Sequence, residues 1–299
     1  MQPRVEVKND EEAGLLDARI GGRTAFTFHY GPGVDLPHLV PRSPSGKALT
    51  VVRTKPYPHH RSLWFADTVQ LAGKRKVSFY NAFYSRIDKK DPNSPFNDRI
   101  RVVEISPGRV RGRTDGIRMR LLWEMDRRTP VLDEERVVRV VVLGEGQYLL
   151  DMTFTLTARY GDVAFVSDAV HYAWPYVRMH PTFSVQQGGT MTSSAGGVNQ
   201  KATHGKAARW IDYTNTVEGV TEGLALFTDP TAKQPPKWLT RDYGTFGPRR
   251  IDARSGKRFT LAKGESLSTR VGLFVHRGDV KAAKVAERYE QYAKTVRQP

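Results

Sequence analysis

Eight consecutive residues, Leu150-Asp151-Met152-Thr153-Phe154-Thr155-Leu156-Thr157, alternate apolar and polar without a break. Successive side chains on an extended backbone point to opposite faces, so this period of two buries one face of a strand and wets the other. The same period returns in Leu267–Val275, and Val137–Leu143 is a mostly β-branched run suited to a strand covered on both faces. Further extended segments read at Arg4–Val7, Thr24–Tyr30, Leu49–Thr54, Lys76–Tyr80, Arg99–Ile105, Gly116–Met125, Val163–Tyr172, Thr182–Gln187, Ala207–Tyr213, Gly223–Thr228 and Lys257–Leu261. The turns that so many short strands need are supplied by 26 glycines and 18 prolines.

One segment has helical spacing. In Asp279–Val296 the residues Val280, Ala283, Ala286, Tyr289 and Ala293 recur on one face, and Asp279 can cap the start. Many strands, one terminal helix and no alternation of strand with helix predict an all-β chain. The expected architecture is one large antiparallel β-sandwich domain over residues 1–299, closed by the helix at 279–296. No repeat of fixed period suggests a propeller. Asp88–Asp98 and Gly188–Gly205 break the strand rhythm and read as surface loops that could serve as lids or binding loops.

Several function classes drop out on composition. The longest apolar run, Val137–Leu143, is interrupted by Arg139, far short of the roughly 20 apolar residues of a membrane span. With no cysteine, disulfides and thiolate chemistry are excluded, while oxidising and reducing compartments both remain open. The first seven residues carry no apolar stretch of secretory type, which leaves the compartment undecided between cytoplasm and export. A formal charge of +16 draws polyanions, yet the cations are scattered through strand-like stretches such as Arg99, Arg101, Arg118 and Arg120. No nucleic-acid reader motif is present, and an anionic carbohydrate substrate, or merely a basic proteome, accounts for the charge as well. Phosphate-binding loops, dinucleotide fingerprints and the G-x-S-x-G elbow are all absent, and no nucleotide cofactor is expected.

Three clusters carry residues able to do chemistry. In Pro56-Tyr57-Pro58-His59-His60-Arg61-Ser62-Leu63-Trp64 the two prolines keep the histidines off a regular helix, on a loop or strand entrance. Neighbouring imidazoles beside the Arg61 guanidinium and the Trp64 indole can exchange protons, hold an anion and stack on a sugar ring. A nearby Arg61 disfavours the imidazolium and keeps a neutral base available. The second cluster, His171-Tyr172-Ala173-Trp174-Pro175-Tyr176-Val177-Arg178-Met179-His180, offers Trp174, Arg178 and His180 to a ring with apolar faces and polar edges, or equally an aromatic core strand running into a loop. In the third, Trp238-Leu239-Thr240-Arg241-Asp242-Tyr243-Gly244, the residues Arg241, Asp242 and Tyr243 supply a cation, an acid or base and a phenol, although an Arg-Asp neighbour pair is commonly a surface ion pair. Eight histidines make a divalent metal compatible with the chain, but no H-E-x-x-H spacing appears.

The first and third clusters, in this order, resemble the bacterial family named "methane oxygenase PmoA". The resemblance rests on Pro37-His38 with Pro44-Ser45-Gly46, on His59-His60-Arg61 with Leu63-Trp64-Phe65, and on Arg209-Trp210-Ile211-Asp212-Tyr213. It continues through Asp229-Pro230 to Trp238 with Arg241-Asp242-Tyr243-Gly244, from about Thr24 to the closing helix. The chain departs from that pattern in carrying Pro56-Tyr57 where an Asp-His pair commonly precedes Pro-His-His. The resemblance implies a galactose-mutarotase-like supersandwich and an origin among sugar-degrading bacteria, some of whose members are exported to the periplasm or beyond.

Together these observations predict a carbohydrate-active enzyme using acid/base chemistry. In a lyase, His59 or His60 would take a proton next to a carbonyl or carboxylate, Arg61 or Arg241 would neutralise the developing charge, and Tyr243 would protonate the leaving oxygen. Trp64, His38, Trp174, Arg178, His180 and Trp238 would bind the substrate. Hydrolysis instead requires two carboxylates, for which Asp212 and Asp242 are available. A non-catalytic carbohydrate-binding protein and a metal-dependent sugar-processing enzyme fit the same residues.

Overall fold

A computed structural model describes residues 4–81, 97–110, 113–166, 173–250 and 259–297. Three antiparallel sheets organise these residues. In spatial order, the first runs β1 (Val5–Asp10), β2 (Leu15–Ile20), β3 (Arg23–His29), β4 (His38–Pro41), β5 (Leu63–Trp64), β13 (Tyr176–Arg178), β18 (Thr245–Pro248) and β17 (Trp238–Thr240). The second runs β14 (Thr190–Ser193), β15 (Trp210–Val217), β16 (Val220–Thr228), β20 (Ser266–Arg277), β11 (Gln147–Thr157), β10 (Thr129–Gly144), β9 (Arg113–Met125) and β8 (Arg99–Val110). A small third sheet joins β19 (Phe259–Leu261), β12 (Val163–Phe165), β6 (Thr68–Leu71) and β7 (Lys76–Ser78). Two α-helices, α1 (Asn199–Thr203) and α2 (Val285–Arg297), complete the regular structure.

The alternation that announced the strands sorts their side chains. Along β11, Leu150, Met152, Phe154 and Leu156 enter the core shared with the first sheet. Across that core Phe154 stacks on Phe65 at 4.6 Å and Tyr213 meets Phe246 at 5.0 Å. The Tyr148 hydroxyl crosses the same gap to donate to the carbonyls of Ala25 (2.6 Å) and Arg42 (2.9 Å). A buried ion pair interrupts the apolar layer: Arg136 donates twice to Glu134 (2.9 and 2.7 Å), whose second oxygen accepts from the Trp123 indole (2.9 Å). Both carboxylate oxygens accept hydrogen bonds there, and the Arg136 guanidinium also lies over the Phe28 and Phe154 rings, which helps a charge pair survive in a core.

The other face of the second sheet receives α2. Phe227 and Phe274 form a second cluster with Val285, Tyr289 and Tyr292; of the residues expected on the buried face within α2, Tyr289 and Ala293 are buried, whereas Ala286 is exposed. Gly272 of β20 permits the approach, because a Cβ there would sit 3.2 Å from the Tyr292 ring. The antiparallel sandwich with one closing helix is therefore the observed fold, and no helix among the described residues is long and apolar enough to cross a membrane.

Local expectations fail where hydrogen bonding overrides pattern. Thr182–Gln187 is two 3₁₀ turns and not a strand, because Pro181 opens a turn and His180 accepts from the Thr182 amide. Leu49–Thr54 forms only the isolated bridges Thr50 to Met179 and Thr54 to Tyr57, with Arg53 at φ 58° breaking any extended run. Asp279 does cap, accepting from Lys281 and Ala282 amides at 2.9 Å, but Lys284 at φ 52° postpones α2 to Val285. Gly188–Gly205 holds β14 and α1 and is not an open loop. Most of the Asp88–Asp98 segment, the distal part of Val163–Tyr172, and Lys257 lie outside the described residues.

Candidate functional site

In the middle of the first sheet the strands are short, and their register lines up alternate residues. Leu39, Leu63 and Val177 form one cross-strand row continued by Phe246, which turns toward the second sheet. Period two then sends the row His38, Trp64 and Tyr176, with the Arg178 and Thr245 pair, to the face directed away from that sheet. All five of these side chains are buried.

The loop 51–62 folds over this face. Val51 donates to the Arg178 carbonyl (3.0 Å), Arg178 to the Ser62 carbonyl (2.7 Å) and Arg53 to the His60 carbonyl (3.0 Å), while the His60 amide closes a turn onto Tyr57 (3.0 Å). Arg61 clamps the turn from inside, its Nη1 donating to the Pro58 (2.9 Å) and His60 (3.1 Å) carbonyls. That turn presents His59 and His60 to the sheet at 9% and 2% exposure, low enough to make charging either ring costly.

His60 is the hub. Its Nε2 lies 3.2 Å from the Tyr80 hydroxyl and its Nδ1 3.3 Å from the Thr245 hydroxyl. A neutral imidazole has one donor and one acceptor, so one hydroxyl gives and the other receives. The ring meets His59 edge-on at 4.4 Å, Trp64 at 5.5 Å and Tyr57 in a stack at 4.9 Å. Tyr57 in turn stacks on Tyr243 at 4.9 Å, and the Arg178 guanidinium lies 4.7 Å from the Tyr243 ring centre. Tyr57 thus joins the histidine loop to the turn that carries Tyr243.

Burial and cations set the protonation states. Burial, aided by the positive charges of His59, Arg178 and Arg61, pushes His60 down to about 2. His59 falls to about 4 through burial and Arg61, and His38, stacked on His29 at 5.1 Å, to about 3 through burial. Burial lowers the Arg61 guanidinium to about 10, with Arg53 adding to the fall. Burial and the Tyr57 phenol raise Tyr243, which keeps it a proton donor at neutral pH.

The turn Arg241–Gly244 distributes its residues in three directions. Gly244 donates to the Arg241 carbonyl (2.8 Å) at φ 101°, a conformation that favours glycine and lets the chain turn sharply after Tyr243. Asp242 points to α1, accepting from the Gln200 amide (2.8 Å) while the Asp242 amide donates to the Gln200 side chain (2.9 Å). Arg241 donates to His204 Nδ1 (2.9 Å) and to the Thr240 carbonyl (2.9 Å). Only Tyr243 enters the imidazole cluster.

Other predicted residues are used elsewhere. The His180 ring holds Thr182 at 2.7 Å. Trp238 is fully buried, its indole donating to the Ala208 carbonyl (2.8 Å), and Trp174 donates to Asp67 (2.9 Å) under the core. Trp64 is equally buried, so none of the three indoles lies open as a sugar platform. His171 lies outside the described residues. Asp212 accepts from Thr214 (2.5 Å) and contacts His276 (2.7 Å), a network separate from that of Asp242. Pro44-Ser45-Gly46 is a docking turn: Ser45 donates its amide (2.8 Å) and hydroxyl (2.6 Å) to the buried Glu222. Thr245 and Tyr80, the hydroxyl partners of His60, were not among the expected site residues; Thr245 opens β18 directly after the turn that carries Tyr243. Among the described residues no group of three or more His, Asp or Glu is placed to hold a metal ion.

A family model described as "Family of unknown function (DUF6807)" matches residues 16–290. The chain belongs to the DUF6807 family. This overturns the resemblance to the methane oxygenase PmoA family, since the match covering almost the whole chain is to DUF6807. No curated protein matches the chain.

Among solved structures, the DUF6807 chain is similar to the GH36 α-galactosidase AgaB of Geobacillus stearothermophilus, with 11% identity and a TM-score of 0.50 over 92% of this chain and 41% of that one. It also matches a heparan sulfate lyase HepC mutant of Pedobacter heparinus (9% identity, TM-score 0.40, 92% and 37% of the two chains). A third match is a GalM/aldose epimerase homologue of C. elegans (9% identity, TM-score 0.33, 92% and 100%). The chain spans about two fifths of the length of AgaB and HepC. At these identities the likeness to AgaB concerns the fold alone.

Proposed function

We propose that this DUF6807 protein is an enzyme acting on a saccharide by proton transfer at the His59–His60–Tyr243 cluster. The observation that carries the reading is the continuous ring contact His60–Tyr57–Tyr243, which joins two loops distant in sequence around neutral imidazoles and a protonated phenol. His59, held at about 4, is the stronger base of the pair. His60 has both ring nitrogens occupied by hydroxyls and orients the site. Tyr243 delivers the proton to the leaving oxygen, and Arg178 at its ring face, together with Arg61, balances negative charge as it develops.

Elimination or isomerisation suits this set better than hydrolysis. Hydrolysis uses two carboxylates across the bond, and Asp212 and Asp242 are committed to different networks. The names of the neighbours, a galactosidase, a heparan sulfate lyase and an epimerase homologue, support a saccharide as the substrate class. The non-catalytic binding reading loses support because Trp64, Trp174 and Trp238 are buried.

The test incubates the protein with neutral and uronate-containing polysaccharides, following unsaturated products by ultraviolet absorbance and new reducing ends by a chemical assay. Affinity electrophoresis reports binding in parallel. His59→Ala and Tyr243→Phe should each lose turnover by roughly 10²-fold or more while binding persists. Turnover at wild-type rates in both variants would remove the cluster from the mechanism, and failure to bind any saccharide would sink the substrate class.

A further inference from the structure

On the opposite side of the first-sheet strands lies a separate cavity of about 460 Å³ lined by Trp174, Arg250, Phe259, Ser268, Thr269 and Lys233, among others. No residue lining it belongs to the imidazole cluster. Trp64 and Phe65 are consecutive and point to opposite faces: Trp64 sits with His60, while Phe65 contacts Trp174 at 5.2 Å.

Arg250 is the anomaly of this cavity. It is 2% exposed, and its Nε approaches Asp67 at 3.3 Å. Yet among the described residues neither Nη1 nor Nη2 has a hydrogen-bond partner. Asp67 is already committed, accepting from the Trp174 indole (2.9 Å) and the Thr68 amide (2.7 Å). The guanidinium lies among three rings, 5.2 Å from Phe259, 5.6 Å from Trp174 and 5.9 Å from Phe165, which shield it from water and accept none of its protons in ordinary hydrogen bonds. A buried guanidinium with two idle nitrogens carries a desolvation penalty that an anion presenting two oxygens side by side would relieve with parallel charge-assisted hydrogen bonds.

We propose that this cavity is a second ligand site, taking a sugar that bears a carboxylate or sulfate, with the anion on Arg250 Nη1 and Nη2. The volume falls in the range of small-molecule sites. Phe259 and Leu267 offer an apolar wall to a ring face, and Thr269, two residues after Leu267 on the same strand face, offers a hydroxyl to its edge. Asp229, the carboxylate of the lining, is turned to Thr231, accepting from its amide (2.8 Å) and hydroxyl (2.7 Å), and Lys233 stands at the exposed rim.

Isothermal titration with glucuronate, glucose 6-sulfate and glucose tests the site. At least one anionic sugar should bind, and the stronger of the two identifies a carboxylate or a sulfate as the preferred anion. Glucose should bind roughly tenfold more weakly or worse, as expected for loss of a charge-assisted pair. Arg250→Gln should abolish binding. Ala232→Trp, at a half-exposed loop position of the lining, should fill the cavity and abolish binding without touching the buried core, which keeps the test informative if the arginine variant misfolds. Equal binding of glucose, unchanged binding in Ala232→Trp, or no heat from either anion would overturn the proposal; the last would mean that water alone serves Arg250.

Discussion

Three histidines kept neutral by burial make this fold acid-sensitive over a pH range where carboxylates hardly titrate. His38, His59 and His60 have native values of about 3, 4 and 2, whereas an unfolded chain holds them near 6.5. Above about 6.5 both states are neutral and the contribution to stability is intact. As pH falls below 6.5 the unfolded chain takes up protons that the native rings refuse, so stability is lost progressively down to the native values. At about pH 5.5, one unit below the unfolded value, each ring favours unfolding by RT ln 11, about 1.4 kcal/mol, and the three together by about 4 kcal/mol. That is a large share of the roughly 5–15 kcal/mol typical of a folded chain. Urea denaturation followed by tryptophan fluorescence at about pH 7.5 and pH 5.5 measures the difference. In His60→Gln, whose amide can still serve Thr245 and Tyr80, the pH dependence should shrink by about 1.4 kcal/mol. Stability that changes by less than about 1 kcal/mol between the two pH values would refute the claim that these rings stay neutral in the fold.

Other substitutions probe single links. Arg136→Met strands the buried Glu134 carboxylate and should cost about 3–5 kcal/mol in the same assay, much of it recovered in the Glu134→Leu/Arg136→Met double variant. Gly244→Ala places a Cβ 3.0 Å from that of Met179 at φ 101° and should cost about 1–2 kcal/mol while shifting Tyr243; a silent substitution would mean that the turn does not position the phenol. Ser45→Ala removes a hydroxyl from buried Glu222 and should lower stability by about 1.5–3 kcal/mol, read from the urea midpoint.

The alternation in Leu150–Thr157 and Leu267–Val275 was enough to place β11 and β20, and the spacing of Tyr289 and Ala293 was enough to place the buried face of α2, because period and burial are the same fact for long regular elements. Short elements carry too few residues for a period. That is why β5, two residues long, and the turns at Thr182–Gln187 were decided by hydrogen bonds from neighbours such as His180. Methane oxygenase PmoA was the wrong family for a chain that DUF6807 covers from 16 to 290.

The candidate site divides along the same line. Residue types singled out His59 and His60 in one segment and Tyr243 in another distant in sequence, since imidazoles beside a guanidinium, and a phenol beside an arginine, are groups that move protons near neutral pH. Sequence could not say which members of Arg241-Asp242-Tyr243 face inward, because each direction depends on the turn at Gly244 and on partners such as Gln200 and His204 that lie about 40 residues away. Nor could it separate a tryptophan that greets solvent from one that fills a core. Trp64 and Trp174 read alike on paper, and only the packing of two sheets placed one behind the imidazoles and the other beside the unpartnered guanidinium nitrogens of Arg250. Charge and chemistry are properties of residues, whereas burial, which sets their protonation and their partners, belongs to the assembled sheets.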